Sequence, residues 1–518
     1  MPSPQQKLAD SLEILYELQN QGTVAIGSRD LSRTHRERLV QNGFLKEVMK
    51  GWYIPAHPEE TAGESTAWFT AFWSFCRNYL EIRFGKEWSL SPEQSLMLHI
   101  ENRTVPRQLL VRARKGRNHI MKLPHGTSIL DVKASLPKVG DADELEGLRL
   151  FALPAALIEA GPAFFERHPT DARAALAMLR DVSGVLEKLL NGGHSVIAGR
   201  LAGGLRDIGR IRLADDIVST MKAAGFKVRE TNPFERAAPA ALAAREHSPL
   251  IARIHLMWQQ SRGVVIEAFP EPPGLPRGKK AFLKRIEDAY KADAYHSLSI
   301  EGYRVSGPLI ERVRQGTWNP DAREEDRQQR DALAARGYWQ AFQAVKSSIQ
   351  QVLDGAAPGE VANDDHGQWY REMFAPSVMA GLLKPGDLAG YRNIPVYIRR
   401  SMHVPPSADA VRDLIPTFFD LLKDEDHPAV RIVLGHFFFV YIHPYMDGNG
   451  RIGRFLMNLM LASGGYPWTI IPVERRNHYM AALESASVDQ NIEPFAEFLA
   501  QLVRNNMEGK DAPGVPET

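Results

Sequence analysis

The chain has 518 residues, a formal net charge of +1 and 24% charged residues. This length exceeds one ordinary hydrophobic core, so two to four packed units of roughly 100–200 residues are expected. The near-zero charge excludes a global attraction to nucleic acid or acidic membrane, and the single cysteine, Cys76, excludes an internal disulfide.

The opening stretch MPSPQQKLADSLEILYELQ lacks the basic-then-apolar pattern of a secretory signal, and charges interrupt every apolar run before it reaches spanning length. A cytoplasmic protein with no membrane partner is expected. Leu8, Leu12, Leu15 and Leu18 recur at helical spacing, with breaks at Gly22 and Gly27. Residues Ser28 to Asn42 read as a polar helix-turn-helix segment bearing Arg33, Arg36 and Arg38, and Val48 to Ile54, closed by Pro55, as a β-like end. Together they predict a winged-helix domain over residues 1–60. Its arginine-bearing helix suits a DNA groove, where cations meet phosphates, or is the solvated helix of a protein-contact winged helix.

Between Asn102 and Leu130 no acidic residue occurs, while Arg103, Arg107, Arg112, Arg114, Lys115, Arg117 and Lys122 supply cations. This is either a phosphate-contacting surface or a solvated strand and loop face. The LRLFALPAALIEAGPAFF run from Leu148 and the stretch from Ala172 to Leu190 predict small helices with alanine-rich packing faces. In element order, and in the LVQNGFLKEVMKGWYIP and LRLFALPAALIEA stretches, residues 1 to about 235 resemble winged-helix antitoxins of the abortive-infection type. That resemblance implies an α/β antitoxin-like region over 61–235 and operator DNA as a partner.

From Phe234 to Pro276 alanine runs and the PEPPGLP stretch predict a linker, placed at residues 236–278. Amphipathic helical patterns fill 279–506, with one β-like interruption at Tyr391 to Ile398, and 507–518 read as a flexible tail.

Residues Ala429 to Ile442, AVRIVLGHFFFVYI, are long and apolar enough for a buried helix, and it must stop because His443 precedes Pro444. His443 is thereby displayed at a helix end. A second helix opens near Asn449, after the Gly448-Asn449-Gly450 turn, with Ile452, Phe455, Leu456, Leu459 and Met460 as its buried stripe. Glycines let the backbone approach a ligand closely, and free amides at a helix start favour anions, so the loop reads as a polyphosphate cradle. Arg451 and Arg454 can add two guanidinium forks, and Asp447 offers a hard oxygen for Mg2+.

Together, His443-Pro444-x-x-Asp447-Gly448-Asn449-Gly450-Arg451-x-x-Arg454 resembles the signature of Fic domains, HPFx(D/E)GNGRxxR, with Tyr445 where phenylalanine is usual. The resemblance covers about Lys279 to Asn506 and implies a mainly-α fold: an all-α catalytic domain with a short β-hairpin flap, preceded by the winged helix-turn-helix and the α/β region. It also implies a protein adenylyltransferase that uses ATP and Mg2+. His443 would be the general base toward a Tyr, Thr or Ser hydroxyl of a target protein, or of the chain itself. Asp447 would hold the metal, and Gly448, Asn449, Gly450, Arg451 and Arg454 would bind the nucleotide.

Two further stretches fit the resemblance. KPGDLAGYRNIPVYI, from Lys384, resembles the family's target-holding flap, through Tyr391, Arg392, Asn393 and Ile394. Arg475-Arg476-Asn477-His478-Tyr479 falls where the family lines its adenine pocket, which assigns Asn477 to the base. Upstream, Ser297-Leu298-Ser299-Ile300-Glu301-Gly302 resembles the inhibitory pattern (S/T)xxxE(G/N), on a helix expected at about 291–303. Glu301 would occupy Arg454 and deny it to the γ-phosphate, with Ser297 and Gly302 completing the pattern. The same glutamate could position a water that removes AMP. Two alternatives stay open: a Fic domain that transfers another phosphate-containing group, and an antitoxin-like, DNA-binding autorepressor with a weak or regulated Fic half.

Overall fold

The computed structural model describes residues 3–21, 23–56, 58, 65–235, 248–317, 330–510 and 513–516. Among the described residues helices dominate, and the strands lie within residues 26–151, as a mainly-α chain requires. The chain divides into two units, Met1–Leu256 with Tyr397–Val404, and Met257–Val396 with Pro405–Thr518. No helix among the described residues is long and apolar enough to cross a membrane.

In the first unit, α1 (Pro4–Asn20) starts at Ser3, whose hydroxyl accepts the Gln6 N–H while the Gln6 side chain accepts from Ser3, a capping box. Next come β1 (Ile26–Gly27), α2 (Arg33–Gln41), β2 (Leu45–Met49) and β3 (Trp52–Pro55); the strands pair antiparallel in the order β1-β3-β2. Leu15, Ile26, Leu31, Leu39 and Leu45 close a small core. The segment 28–42 holds one helix, α2, after a turn, so two helices are not formed within it as the helix-turn-helix expectation required.

A larger core forms where α3 (Thr66–Phe84) lays Trp68, Phe72, Phe75 and Leu80 on the sheet of β4 (Trp88–Leu90), β5 (Leu109–Ala113), β6 (His119–Lys122) and β7 (Ser128–Lys133). The strand order is β4-β5-β7-β6, and in β5 buried Leu109, Val111 and Ala113 alternate with Leu110 and Arg112. A hairpin of β8 (Ala142–Leu145) and β9 (Leu148–Phe151) leads into a helical layer. There Ala172, Ala174 and Ala175 are fully buried, as the alanine-rich pattern predicts. Tyr397–Val404 completes the unit. The Val105 N–H donates to the Met402 carbonyl at 2.9 Å, and Met402 and Val404 pack against the α3 core. These residues fall inside the 279–506 span expected to form the catalytic half, so that span is not one unit.

Of the expected linker, residues 236–247 lie outside the described residues, while Pro249–Ala268 form a helix. Residues 1, 2, 22, 57, 59 and 60 of the expected winged-helix domain, among them the expected break at Gly22, residues 61–64 of the antitoxin-like region, residues 318–329 of the expected catalytic domain, and 511, 512, 517 and 518 of the expected tail also lie outside them.

The second unit is helical. Its framework is α4 (Lys279–Ile300), α5 (Arg330–Leu353), α6 (Pro358–Met379), α7 (Pro428–Ile442), α8 (Asn449–Ser463) and α9 (Arg476–Val488). Helices α5 and α6 run so close that a Cβ on Gly337 would sit 1.8 Å from the Met373 carbonyl oxygen. Helix α7 is apolar on all sides because all sides are covered: Ile432, Val433, Leu434, Phe438 and Phe439 are fully buried, each worth about 1.5–3 kcal/mol relative to exposure. Pro428 opens it at a position where the missing N–H costs nothing.

The expected β-hairpin flap is not formed as strands. Residues 389–406 carry no strand, and a single 3-10 turn at Pro385–Leu388 precedes them. Pro395 supplies no N–H to a ladder, and Arg392 turns its side chain inward, to 2% exposure, where alternation would have left it outside.

Candidate active site

Helix α7 ends on His443, which takes a left-handed conformation at φ 54° and ψ 60° and whose N–H donates to the Phe439 carbonyl at 3.0 Å. Its half-buried ring places Nδ1 3.1 Å from the Val440 carbonyl. A carbonyl can only accept, so Nδ1 carries the proton and Nε2 keeps its lone pair. Burial pushes the imidazole down to about 4, against the opposing bond to Val440. At neutral pH this ring is an uncharged acceptor.

The loop after it is held by its own side chains. Asn449 accepts the Tyr445 N–H through Oδ1 and donates to the Tyr445 carbonyl through Nδ2, both at 2.9 Å. Asn449 therefore serves the loop with its side chain and can meet a ligand only through its amide. Gly448 sits at φ 82°, where a Cβ would approach Phe374 to 2.8 Å, and its N–H donates to Asp447 Oδ1 at 2.6 Å. The Gly448 amide is thus already engaged, and the open amides of the α8 start are those beyond it. Tyr445, 2% exposed, stacks on Tyr370 with ring centroids 3.9 Å apart.

Arg451 is 1% exposed, with its guanidinium 5.2 Å from the Tyr303 ring and 5.1 Å from the Phe374 ring. Nη2 lies 3.2 Å from Asp447 Oδ1, yet neither Nε nor Nη2 makes a hydrogen bond. Buried donors without acceptors are costly, and an anion placed here would satisfy them. The Asp447 side chain is 59% exposed. One exposed carboxylate beside a phosphate cradle fits Mg2+, which keeps its waters and takes phosphate oxygens. No cluster of three or more metal-ligating side chains occurs among the described residues.

Arg454 is held by α4 and its C-cap through two of its three guanidinium nitrogens, while buried Nη1 makes no hydrogen bond. Its Nε donates to Ser297 Oγ at 2.9 Å, and Nη2 donates to the Ser297 carbonyl at 3.1 Å and to Glu301 Oε1 at 2.6 Å. Helix α4 ends at Ile300 and Gly302 turns to φ 88°, so that the Tyr303 N–H reaches back to the Leu298 carbonyl at 3.1 Å. This cap carries Tyr303 onto Arg451. Glu301 also lies over the cradle, where a Cβ on Gly450 would come within 2.5 Å of its Oε1.

Among the expected flap residues, Asn393 and Ile394 are exposed, while Tyr391 donates its hydroxyl to His366 Nε2 at 2.9 Å and Arg392 is buried. Neither Tyr391 nor Arg392 can present its polar group to a target, because each is spent inside. Asn477 is exposed in the first turn of α9. His436, fully buried on α7, shares one bond with the Tyr479 hydroxyl at 2.7 Å through Nε2, while Nδ1 makes no hydrogen bond.

Of the DNA candidates, Arg33 is exposed and paired with Glu37 at 2.7 Å. Arg36 donates to the Ser28 carbonyl at 3.0 Å, and Arg38 donates to the Lys7 carbonyl at 2.6 Å and to Ser11 at 2.8 Å. Arg36 and Arg38 thus spend donors on neighbouring carbonyls and a hydroxyl of their own unit, Arg38 tying α2 to α1. Within the cationic stretch, Arg103 pairs with Glu146 at 2.6 Å and Arg112 with Glu159 at 3.1 Å, partners that lie outside the stretch.

Sequence reasoning missed Tyr303 and Phe374, the rings on either side of Arg451. The only local signal was an aromatic residue directly after Gly302.

Residues 366–461 match the family described as Fic/DOC. Over 232 residues the chain is 29% identical to protein adenylyltransferase Fic of Drosophila willistoni, covering 44% of this chain and 43% of that protein. It is 30% identical over 233 residues to the Drosophila grimshawi protein of that name, covering 44% of each. The Nematostella vectensis protein is 28% identical over 238 residues, 45% of this chain and 52% of that one. The match thus spans about half the length of these relatives. Among solved structures, a portion of Fic-1 from C. elegans is similar with a TM-score of 0.38 and 19% identity, covering 65% of this chain and 96% of that one. A Fic domain containing signaling protein from Bacteroides thetaiotaomicron has a TM-score of 0.34 and 19% identity, covering 50% and 100%.

Proposed function

Because residues 366–461 form a Fic domain, we propose that this protein moves AMP from ATP to a Tyr, Thr or Ser hydroxyl of a target protein, and that its resting state is braked. The observation that carries the reading is the pairing of an open imidazole Nε2 with a neighbouring helix start whose arginine has unpartnered donors.

In this reading His443 Nε2 accepts the proton of the target hydroxyl as its oxygen forms a bond to the α-phosphorus. The bond from that phosphorus to the bridging oxygen breaks, and pyrophosphate departs with the electron pair. The open amides of the α8 start and Arg451 hold the phosphates and offset the charge that develops on them. Asp447 would hold Mg2+, which when bound neutralises phosphate charge. Asn477, exposed at the start of α9, would meet the adenine, and the exposed Asn393 and Ile394 backbone would hold the target chain by main-chain bonds. The chain's own hydroxyls are available as targets too.

Glu301 supports the brake directly, since a γ-phosphate and its carboxylate compete for one guanidinium. With AMP already on a protein, the same carboxylate could orient a water and run the removal reaction.

The test uses ATP labelled at the α- or the γ-phosphate with Glu301→Gly and Glu301→Gly/His443→Ala. The α-label should enter protein with the first variant and vanish with the second. Entry of the γ-label instead would replace AMP transfer by phosphate transfer. Label that survives His443→Ala would remove the base from its role.

A further inference from the structure

We propose that Arg392 is a positioning residue that holds the catalytic histidine and the target-holding flap in one fixed relation. The proposal rests on the reading of His443 as the base. Helix α7 ends on carbonyls that have no helical partner, and Pro444, directly after, brings no N–H to satisfy them. Arg392 supplies what is missing. Its Nε donates to the His443 carbonyl at 2.7 Å, its Nη2 to the Ile442 carbonyl at 3.4 Å, and its backbone N–H to the Pro444 carbonyl at 2.9 Å. Three successive carbonyls at the turn that displays the imidazole are thus met by one residue.

The remaining donors fasten the flap. Nη1 donates to the Ile394 carbonyl at 3.3 Å, and Nη2 also donates to the Pro406 carbonyl. The exposed residues Asn393 and Ile394 are therefore tied, through one guanidinium, to the backbone of the base. A target laid along them would have its hydroxyl set against Nε2 by covalent geometry and this fork. His443 keeps a left-handed conformation that side-chain-bearing residues seldom adopt, and such a conformation persists only when its surroundings over-determine it.

Among the described residues Arg392 forms no ion pair, although it is 2% exposed. A buried cation without a carboxylate is expensive, and nothing in simple packing asks for one here. Lysine could not replace it, since one ammonium cannot span carbonyls on both the flap and the helix end. Its charge also faces the imidazole and favours the uncharged ring, against Glu301 and Asp447, whose carboxylates favour the charged one.

The experiment places Arg392→Met and Arg392→Lys in the Glu301→Gly chain and measures ATP affinity by equilibrium binding, the rate of α-label incorporation, and the His443 ring resonances in histidine-labelled protein. ATP affinity should stay within about threefold, because Arg392 touches no part of the cradle. Labelling should fall about 100-fold with Met and about tenfold with Lys, the scale of a misplaced reacting group. The His443 resonances, assigned by their loss in His443→Ala, should move in both. Labelling within about threefold of the parent, or a loss of ATP binding equal to the loss of labelling, would overturn the proposal. If the Glu301→Gly parent itself carries no label, the AMP-transfer reading fails; Arg392 is then judged by the ring resonances alone, and unmoved His443 signals in Arg392→Met would overturn its role.

Discussion

Replacing Glu301 by glycine has opposite effects on activity and stability, and both follow from one contact. Arg454 gives Glu301 Oε1 a 2.6 Å bond, with the arginine side chain 5% exposed and the glutamate 29% exposed. A hydrogen bond to a charged group contributes about 1.5–3 kcal/mol, which corresponds to about a 10- to 150-fold bias toward the braked arrangement. The α-label incorporation rate should rise by that factor in Glu301→Gly. The change also leaves a buried guanidinium with its Ser297 bonds but without its ion-pair partner. Since the lost carboxylate was partly in water, the ligand-free variant should be destabilised by about 1–3 kcal/mol, less than for a fully buried pair. ATP at about 100 times its dissociation constant would return about 2.7 kcal/mol. Denaturant unfolding with and without ATP, beside the labelling rate, reads both arms. A variant that labels at the wild-type rate, or is as stable without ATP as the parent, would refute the reasoning.

Tyr303→Ala should raise basal labelling about 2- to 30-fold, the span of an ammonium- or guanidinium-to-ring contact, while Tyr303→Phe should leave it unchanged; equal effects of the two would show that the ring face on Arg451 is not part of the brake. In the Glu301→Gly chain, label incorporation should show no inflection from the base between about pH 5.5 and 8, because the His443 ring is lowered to about 4 and loses its lone pair only as pH falls through that value; a midpoint near the ordinary histidine value would contradict it. Gly337→Ala, whose Cβ would meet the Met373 carbonyl oxygen at 1.8 Å, should cost about 3 kcal/mol or more by forcing α5 and α6 apart, read as a lower denaturant midpoint. Arg38→Ala should lower the stability of the first unit by about 1–3 kcal/mol through its lost bonds to Lys7 and Ser11, and a change confined to DNA affinity would favour its DNA-groove reading instead.

The catalytic loop was legible because its residues sit next to each other. Apolar periodicity ended at a histidine before proline, glycines followed, and arginines stood one turn apart, so Pro428–Ile442 and Asn449–Ser463 formed where the pattern placed them. The Glu301 contact was legible only through the family resemblance, since 153 residues separate it from Arg454. The flap was misread because alternation along Tyr391 to Ile398 describes a strand only if the side chains obey it; the polar Arg392 went inward to carbonyls that no local pattern announces.

Local sequence by itself determined the helix ends, the amide cradle, the display of His443 and the small charged inventory of the site, because each depends on backbone rules acting over a few residues. Only the tertiary structure decided what each arginine does. Arg392, Arg451 and Arg454 differ in partners far away in the chain: carbonyls for the first, two rings for the second, a serine and a glutamate for the third. A guanidinium is assigned by whichever acceptors and faces the fold brings within about 3–6 Å, and sequence spacing carries no record of that distance.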